Sequence, residues 1–134
     1  MTVVAERANR WRLLCVVAIA VISVGCATGR YTPLVEAEHD QIEQLQENVY
    51  RVEYRVSPFT SQEQLDAYVK RRGAELTLRE GYDWFRLSQR ADVLMLTRRT
   101  AMTVTLYKGG KPPGAYEFYD AKAVLREPAA GTAP

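Results

Sequence analysis

Two carboxylates, Glu75 and Asp83, fall in the most distinctive stretch of this 134-residue chain, Phe59 to Phe85 (FTSQEQLDAYVKRRGAELTLREGYDWF). Brought into one cleft, roughly 5–10 Å apart, such a pair is the minimum for acid–base hydrolysis. Each has a competing, purely structural use. Glu75 is placed to pair with Arg79 one helical turn on, and Asp83 to accept from backbone amides in a turn. Lys70, Arg71, Arg72 and Arg79 gather positive charge along the same stretch. Arg71 and Arg72 are the candidates there for contact with anionic phospholipid or peptidoglycan carboxylates, against the simpler reading of a solvated face. His39, the sole histidine, lies in a polar segment and reads as a solvated linker residue. Gly109-Gly110-Lys111 lacks the strand–loop–helix context of a phosphate loop and reads as a turn. No Ser–His pairing within an expected element and no metal-ligand spacing stands out, so no catalytic residue, metal or cofactor is assigned.

The other residue with chemistry is Cys26. Arg7, Arg10 and Arg12 precede Leu13–Val24 (LLCVVAIAVISV), an apolar run of twelve residues. A bilayer core takes about 20 helical residues, so the run reads as a signal peptide and not as a membrane span. Ser23-Val24-Gly25-Cys26 resembles the lipobox of bacterial lipoproteins, with Gly25 fitting and Ser23 departing from the usual aliphatic residue. That resemblance implies cleavage before Cys26, diacylglycerol on its sulfur and acylation of its amine. Ala27, in place of the aspartate that often retains such proteins in the inner membrane, implies the inner leaflet of the outer membrane, facing the periplasm. Cys15 lies in the leader, so the mature domain keeps no thiol for a disulfide or a zinc site. The whole chain carries a formal net charge of +2. Removing Arg7, Arg10, Arg12 and Glu6 with the leader balances acids and bases, and net charge then offers nothing to nucleic acid.

These residues must be positioned by a small set of elements. Thr60 with Glu63, or Ser61 with Gln64, forms a capping box. Leu65, Tyr68, Val69, Arg72 and Leu76 then recur at helical spacing, and Gly81 supplies the stop. Gly73, mid-helix, either permits a close backbone approach or is a tolerated defect. Tyr50, Val52, Tyr54 and Val56 alternate with Arg51, Glu53 and Arg55 as a half-buried strand. A second strand starts at Trp84, expected to meet Leu76 across the corner. Val93-Leu94-Met95-Leu96 reads as its continuation or as a third short strand. Met102, Val104 and Leu106 mark another strand, residues 108–114 a loop, and Asp120 the cap of a final helix over Ala121–Arg126. The expected fold is α/β (α+β): a two-layer sandwich with one main helix on a three- or four-stranded mixed sheet and a short C-terminal helix. The expected boundaries are a signal peptide over 1–25, a lipid anchor and flexible tether over 26–47, a folded domain over 48–127 and a disordered tail over 128–134. Extended, about twenty tether residues reach roughly 60–70 Å. A short helix within 36–46 has too sparse an apolar stripe to stand on.

Tyr50-Arg51-Val52, Phe59-Thr60-Ser61, Ala74–Leu78 (AELTL) and Gly81–Phe85 (GYDWF), with the later Lys108-Gly109 and Tyr119-Asp120-Ala121, resemble a family of small uncharacterised proteobacterial lipoproteins. The likeness covers roughly residues 44–126 and departs at Gly73, where that pattern has Ala, and near 90–101. It implies envelope location and a single domain, and no activity. The expected function is a lipid-anchored periplasmic binding or structural module. Its partners would be the membrane through the N-terminal lipid, and another envelope protein or peptidoglycan. The alternative is a small periplasmic hydrolase using Glu75 and Asp83.

Overall fold

The computed structural model describes residues 30–37 and 41–129. The leader (1–25), Cys26, His39 and residues 130–134 of the tail lie outside the described residues. A 3-10 turn, Leu34–Glu36, comes first. It is followed by strands β1 (Ile42–Gln46) and β2 (Val49–Val56), helix α1 (Gln62–Arg79), strands β3 (Trp84–Leu94), β4 (Arg98–Tyr107) and β5 (Tyr119–Asp120), and helix α2 (Ala121–Arg126). The strands form one sheet in the order β1-β2-β4-β3-β5. The two-layer sandwich with one main helix and a short C-terminal helix is as expected. The sheet has five strands instead of three or four, and every ladder in it is antiparallel, so it is not mixed at the level of hydrogen bonding. β2 and β3 still run in the same direction, because β4 is inserted between them and pairs antiparallel with both.

Local chemistry sets the helix ends. Ser61, not Thr60, is the N-cap, its hydroxyl accepting from the Gln64 amide at 3.1 Å. At the other end the Tyr82 amide donates to the Thr77 carbonyl and the Gly81 amide to that of Leu78. Gly81 sits at φ 82°, where a side chain would be strained. This is the Schellman arrangement, which satisfies carbonyls the helix leaves open. Asp120 caps α2 by accepting from the Lys122 and Ala123 amides.

The core lies between α1 and one sheet face, and alternation selects its members. Tyr50, Val52 and Tyr54 from β2, Met102, Val104 and Leu106 from β4, and Phe85 from β3 meet Leu65, Tyr68, Val69, Ala74 and Leu76 from α1. Phe85, opposite Leu106, points into this core, whereas Trp84, opposite Tyr107, stays half-exposed. The expected Leu76–Trp84 corner is therefore made by Phe85. Gly73 permits a close approach: a Cβ there would stand 3.2 Å from the Phe85 ring.

The segment expected to be a tether is part of the fold. Ile42–Gln46 pairs along β2 as an edge strand. Leu34 is buried among Tyr50, Leu76 and Val104. Tyr31 stacks on Tyr54 at 5.8 Å between ring centroids and lies 5.5 Å from Tyr68. Residues expected to lie in the tether over 26–47 thus pack on the domain from Tyr31 onward.

Candidate functional site

A cleft of about 370 Å³ lies between α1 and β3, with Tyr119 of β5 in its lining. Its shape follows from one irregularity. Ser88 faces Thr103 and Ala91 faces Ala101, so Gln89 and Arg90 together oppose Met102. This is a β-bulge, and Gln89 carries its strain at φ 49°, a region a non-glycine residue seldom occupies. The extra residue flips the phase of the strand. Phe85 and Leu87 face the helix before it, and Asp92 and Leu94 after it, through the partners Thr100 and Arg98. Arg90 is thereby aimed at α1, where it binds both oxygens of Asp66 at 2.8 and 2.9 Å and also reaches Asp92. Leu87 and Met102 supply apolar floor, and the Lys70 ammonium sits 4.5 Å from the centre of the Tyr119 ring.

Asp66 and Asp92 together hold the Arg90 guanidinium above its already high ordinary pKa. Burial pulls the Asp92 carboxyl up, but hydrogen bonds from Arg90 and Thr100 outweigh it and hold the group below the usual carboxylate range. Burial, with Glu117 nearby, pushes the Tyr119 phenol up to about 12. Because Asp92 binds its proton less tightly in the fold than in the unfolded chain, it stabilises the fold above the ordinary carboxylate value, about 4. That contribution is lost as pH falls from there through the lowered folded value. We predict that Asp92→Asn flattens the acid limb of a melting-temperature-against-pH curve below about pH 4. An unchanged limb would place the acid sensitivity elsewhere.

Ser88 and Tyr119 bring hydroxyls to the lining of the cleft, and the carboxylate there, Asp66, is held by Arg90 and by Gln62. A small ligand with an anionic or acceptor group for Lys70 and an apolar part for Leu87 and Met102 fits this chemistry. Among the described residues there is no cluster of three His, Cys, Asp or Glu able to hold a metal ion.

The residues singled out from sequence do not converge here. Glu75 accepts from the Leu34 amide at 2.7 Å, fastening the N-terminal segment to α1. Arg79 pairs instead with its neighbour Glu80 at 3.0 Å, so the expected Glu75–Arg79 pair is replaced. Asp83 accepts from the Gly109 amide at 2.8 Å and pins the loop after β4, the backbone role its turn position suggested. The two carboxylates thus fasten different segments, and neither borders the cleft. Arg71 donates to the Glu127 carbonyl and lies over the Tyr31 ring.

Arg72 is the larger correction, being 1% exposed and no part of a solvated face. Its guanidinium lies 4.2 Å from the centre of the Tyr54 ring. It donates to Gln41 Oε1, the Glu53 carbonyl and the Thr32 carbonyl at 2.7, 3.0 and 2.9 Å. Its place on the apolar stripe with Tyr68, Val69 and Leu76 was the signal. Beside it, burial pushes the Tyr31 phenol above its ordinary value, with Glu75 adding to the effect.

Sequence reasoning passed over Asp66, Arg90, Asp92 and Gln89. The charges sit on two elements far apart in sequence, and nothing in the local pattern announces the bulge that joins them. No family model matches the chain, and neither a curated protein nor a solved structure does.

Proposed function

We propose that this chain is a lipid-anchored binding or structural module of the bacterial cell envelope, held in the inner leaflet of the outer membrane and facing the periplasm. The observation that carries the reading is the order of segments at its start. Basic residues lead into twelve apolar residues and Gly25-Cys26, and the chain is docked on the domain from Tyr31 onward. Each buried methylene of an acyl chain contributes about 0.8 kcal/mol, and a single chain binds only reversibly. Three chains on Cys26 make the attachment effectively permanent. The resemblance to small proteobacterial lipoproteins supports the same address. The cleft between α1 and β3 is the binding surface for a ligand or for a side chain of another envelope protein or of peptidoglycan. The hydrolase reading loses its support, because Glu75 and Asp83 each fasten a different backbone segment.

Replacing Cys26 tests the anchor. Cys26→Ser is expected to abolish incorporation of labelled palmitate in cells and to leave an unprocessed precursor. Palmitate that persists in the variant would show that the anchor is not at Cys26.

A further inference from the structure

One end of the sheet carries an apolar cluster that the fold does not use. β3 and β4 are joined there by a hairpin tip in which Leu94, Met95 and Leu96 are 63%, 78% and 93% exposed. β2 stops in the same row, since Val56 and Leu94 both face Arg98 across their ladders. Phe59, just beyond β2, is 96% exposed. Hairpin tips ordinarily carry Gly, Asn or Asp, and exposed large apolar side chains gathered at one end of a sheet mark a contact surface.

We infer that this end of the molecule, with Phe59, Leu94, Met95 and Leu96 foremost, inserts into the surface of an anionic phospholipid bilayer, the one in which Cys26 is anchored. The inference rests on the anchored reading and adds the orientation of the domain. Two observations choose lipid as the occupant. The first is the direction of the chain. Leu34 packs at the half of the core remote from the tip, with Leu76 and Leu106, whereas Tyr31 packs at the near half, with Tyr54 and Tyr68. The chain traced backward therefore heads toward the tip. Cys26 lies four positions before Arg30, a reach of roughly 14 Å at most.

The second observation is the order of charges. The two strand rows nearest the tip hold Arg98, Arg55 and Arg99 and no carboxylate, while Asp92 and Glu53 come in the rows behind. Glu53 pairs with Arg55 and Arg99 from there. Outside the sheet, Glu63 and Asp66 belong to the first turns of the helix layer, and Asp66 is paired with Arg90. Apolar side chains leading and arginines just behind are the order that places the former among acyl chains and the latter at headgroup phosphates.

The test uses the full chain, purified and reconstituted in vesicles of phosphatidylethanolamine and phosphatidylglycerol. Single cysteines at Leu96→Cys, Phe59→Cys and, at the opposite end of the sheet, Lys111→Cys carry a fluorophore, with the parent chain as the blank. Quenchers fixed on the lipid acyl chains should remove most of the emission at positions 96 and 59 and leave position 111 unchanged. Omitting phosphatidylglycerol, or replacing Arg98 and Arg99 by Gln, should reduce the quenching. Equal emission at all three sites, or quenching that does not distinguish 96 from 111, overturns the inference. So does concentration-dependent protection of position 96 without lipid, which would assign the tip to a second copy of the chain. The intact mass of the same sample reports acylation separately. An acylated protein with an unquenched tip sinks this inference alone, and a quenched tip on an unacylated protein sinks the anchor alone.

Discussion

A chain that begins at Asn48 loses its cooperative thermal transition, while one that begins at Arg30 keeps it. The shorter chain lacks β1, the buried Leu34 and the ring of Tyr31. Burial of a leucine side chain contributes about 1.5–3 kcal/mol, and the half-buried Tyr31 ring adds a part of such an amount. The truncation also takes away Thr32 and Gln41, which accept two of the Arg72 hydrogen bonds. Leaving a buried donor unpaired costs about 1–3 kcal/mol, more when the group is charged. Together these terms reach the ~5–15 kcal/mol that holds a domain folded. Circular dichroism melting of the two chains is the check. Superimposable transitions would mean that residues 30–47 are only laid against a domain complete without them.

Arg72→Met gives the second large effect. The substitution keeps an unbranched stem and removes the fork that joins α1 to β2, to the N-terminal segment and to Gln41. Three acceptors on half-buried residues lose a donor, at about 1–3 kcal/mol for each that water cannot reach. For a domain of this size 1 kcal/mol moves the melting temperature by about 4–8 °C, so a fall of at least about 10 °C is expected. Arg72→Lys should recover little of it, because an ammonium cannot serve three divergent acceptors from a planar fork. Buried polar networks are sometimes replaced by apolar residues without loss. A methionine variant as stable as the parent would show that Arg72 is kept for something other than joining these segments.

Much of the fold was legible because the signals were local and redundant. The Ser61 cap, the Gly81 stop, the Tyr50–Val56 alternation and the Asp120 cap each combine a residue type with the geometry it favours. β1 was missed for a physical reason. An edge strand whose residues are mostly exposed carries no period-2 pattern, and Ile42-Glu43-Gln44-Leu45-Gln46 has none to read. The choice between Trp84 and Phe85 depended on register, which the β4 ladder sets and which adjacent aromatics do not declare. The apolar run Val93–Leu96 reads as strand continuation or a third strand, and β3 does run on to Leu94, but the hairpin leaves Met95 and Leu96 exposed. The bulge at Gln89 was equally silent, and with it the phase flip that turns Arg90 toward Asp66. Arg72 is visible on the apolar stripe, but two of its three acceptors, Thr32 and Gln41, lie in the segment whose composition reads as a tether.

The claim that ties these observations together is that the domain sits directly on a lipidated Cys26. The most direct measurement is the mass of the N-terminal peptide of the protein extracted from membranes. The account predicts a peptide that begins at Cys26 and carries a diacylglyceryl group and an amide-linked acyl chain. A peptide that begins elsewhere, or one with Cys26 unmodified, would contradict it.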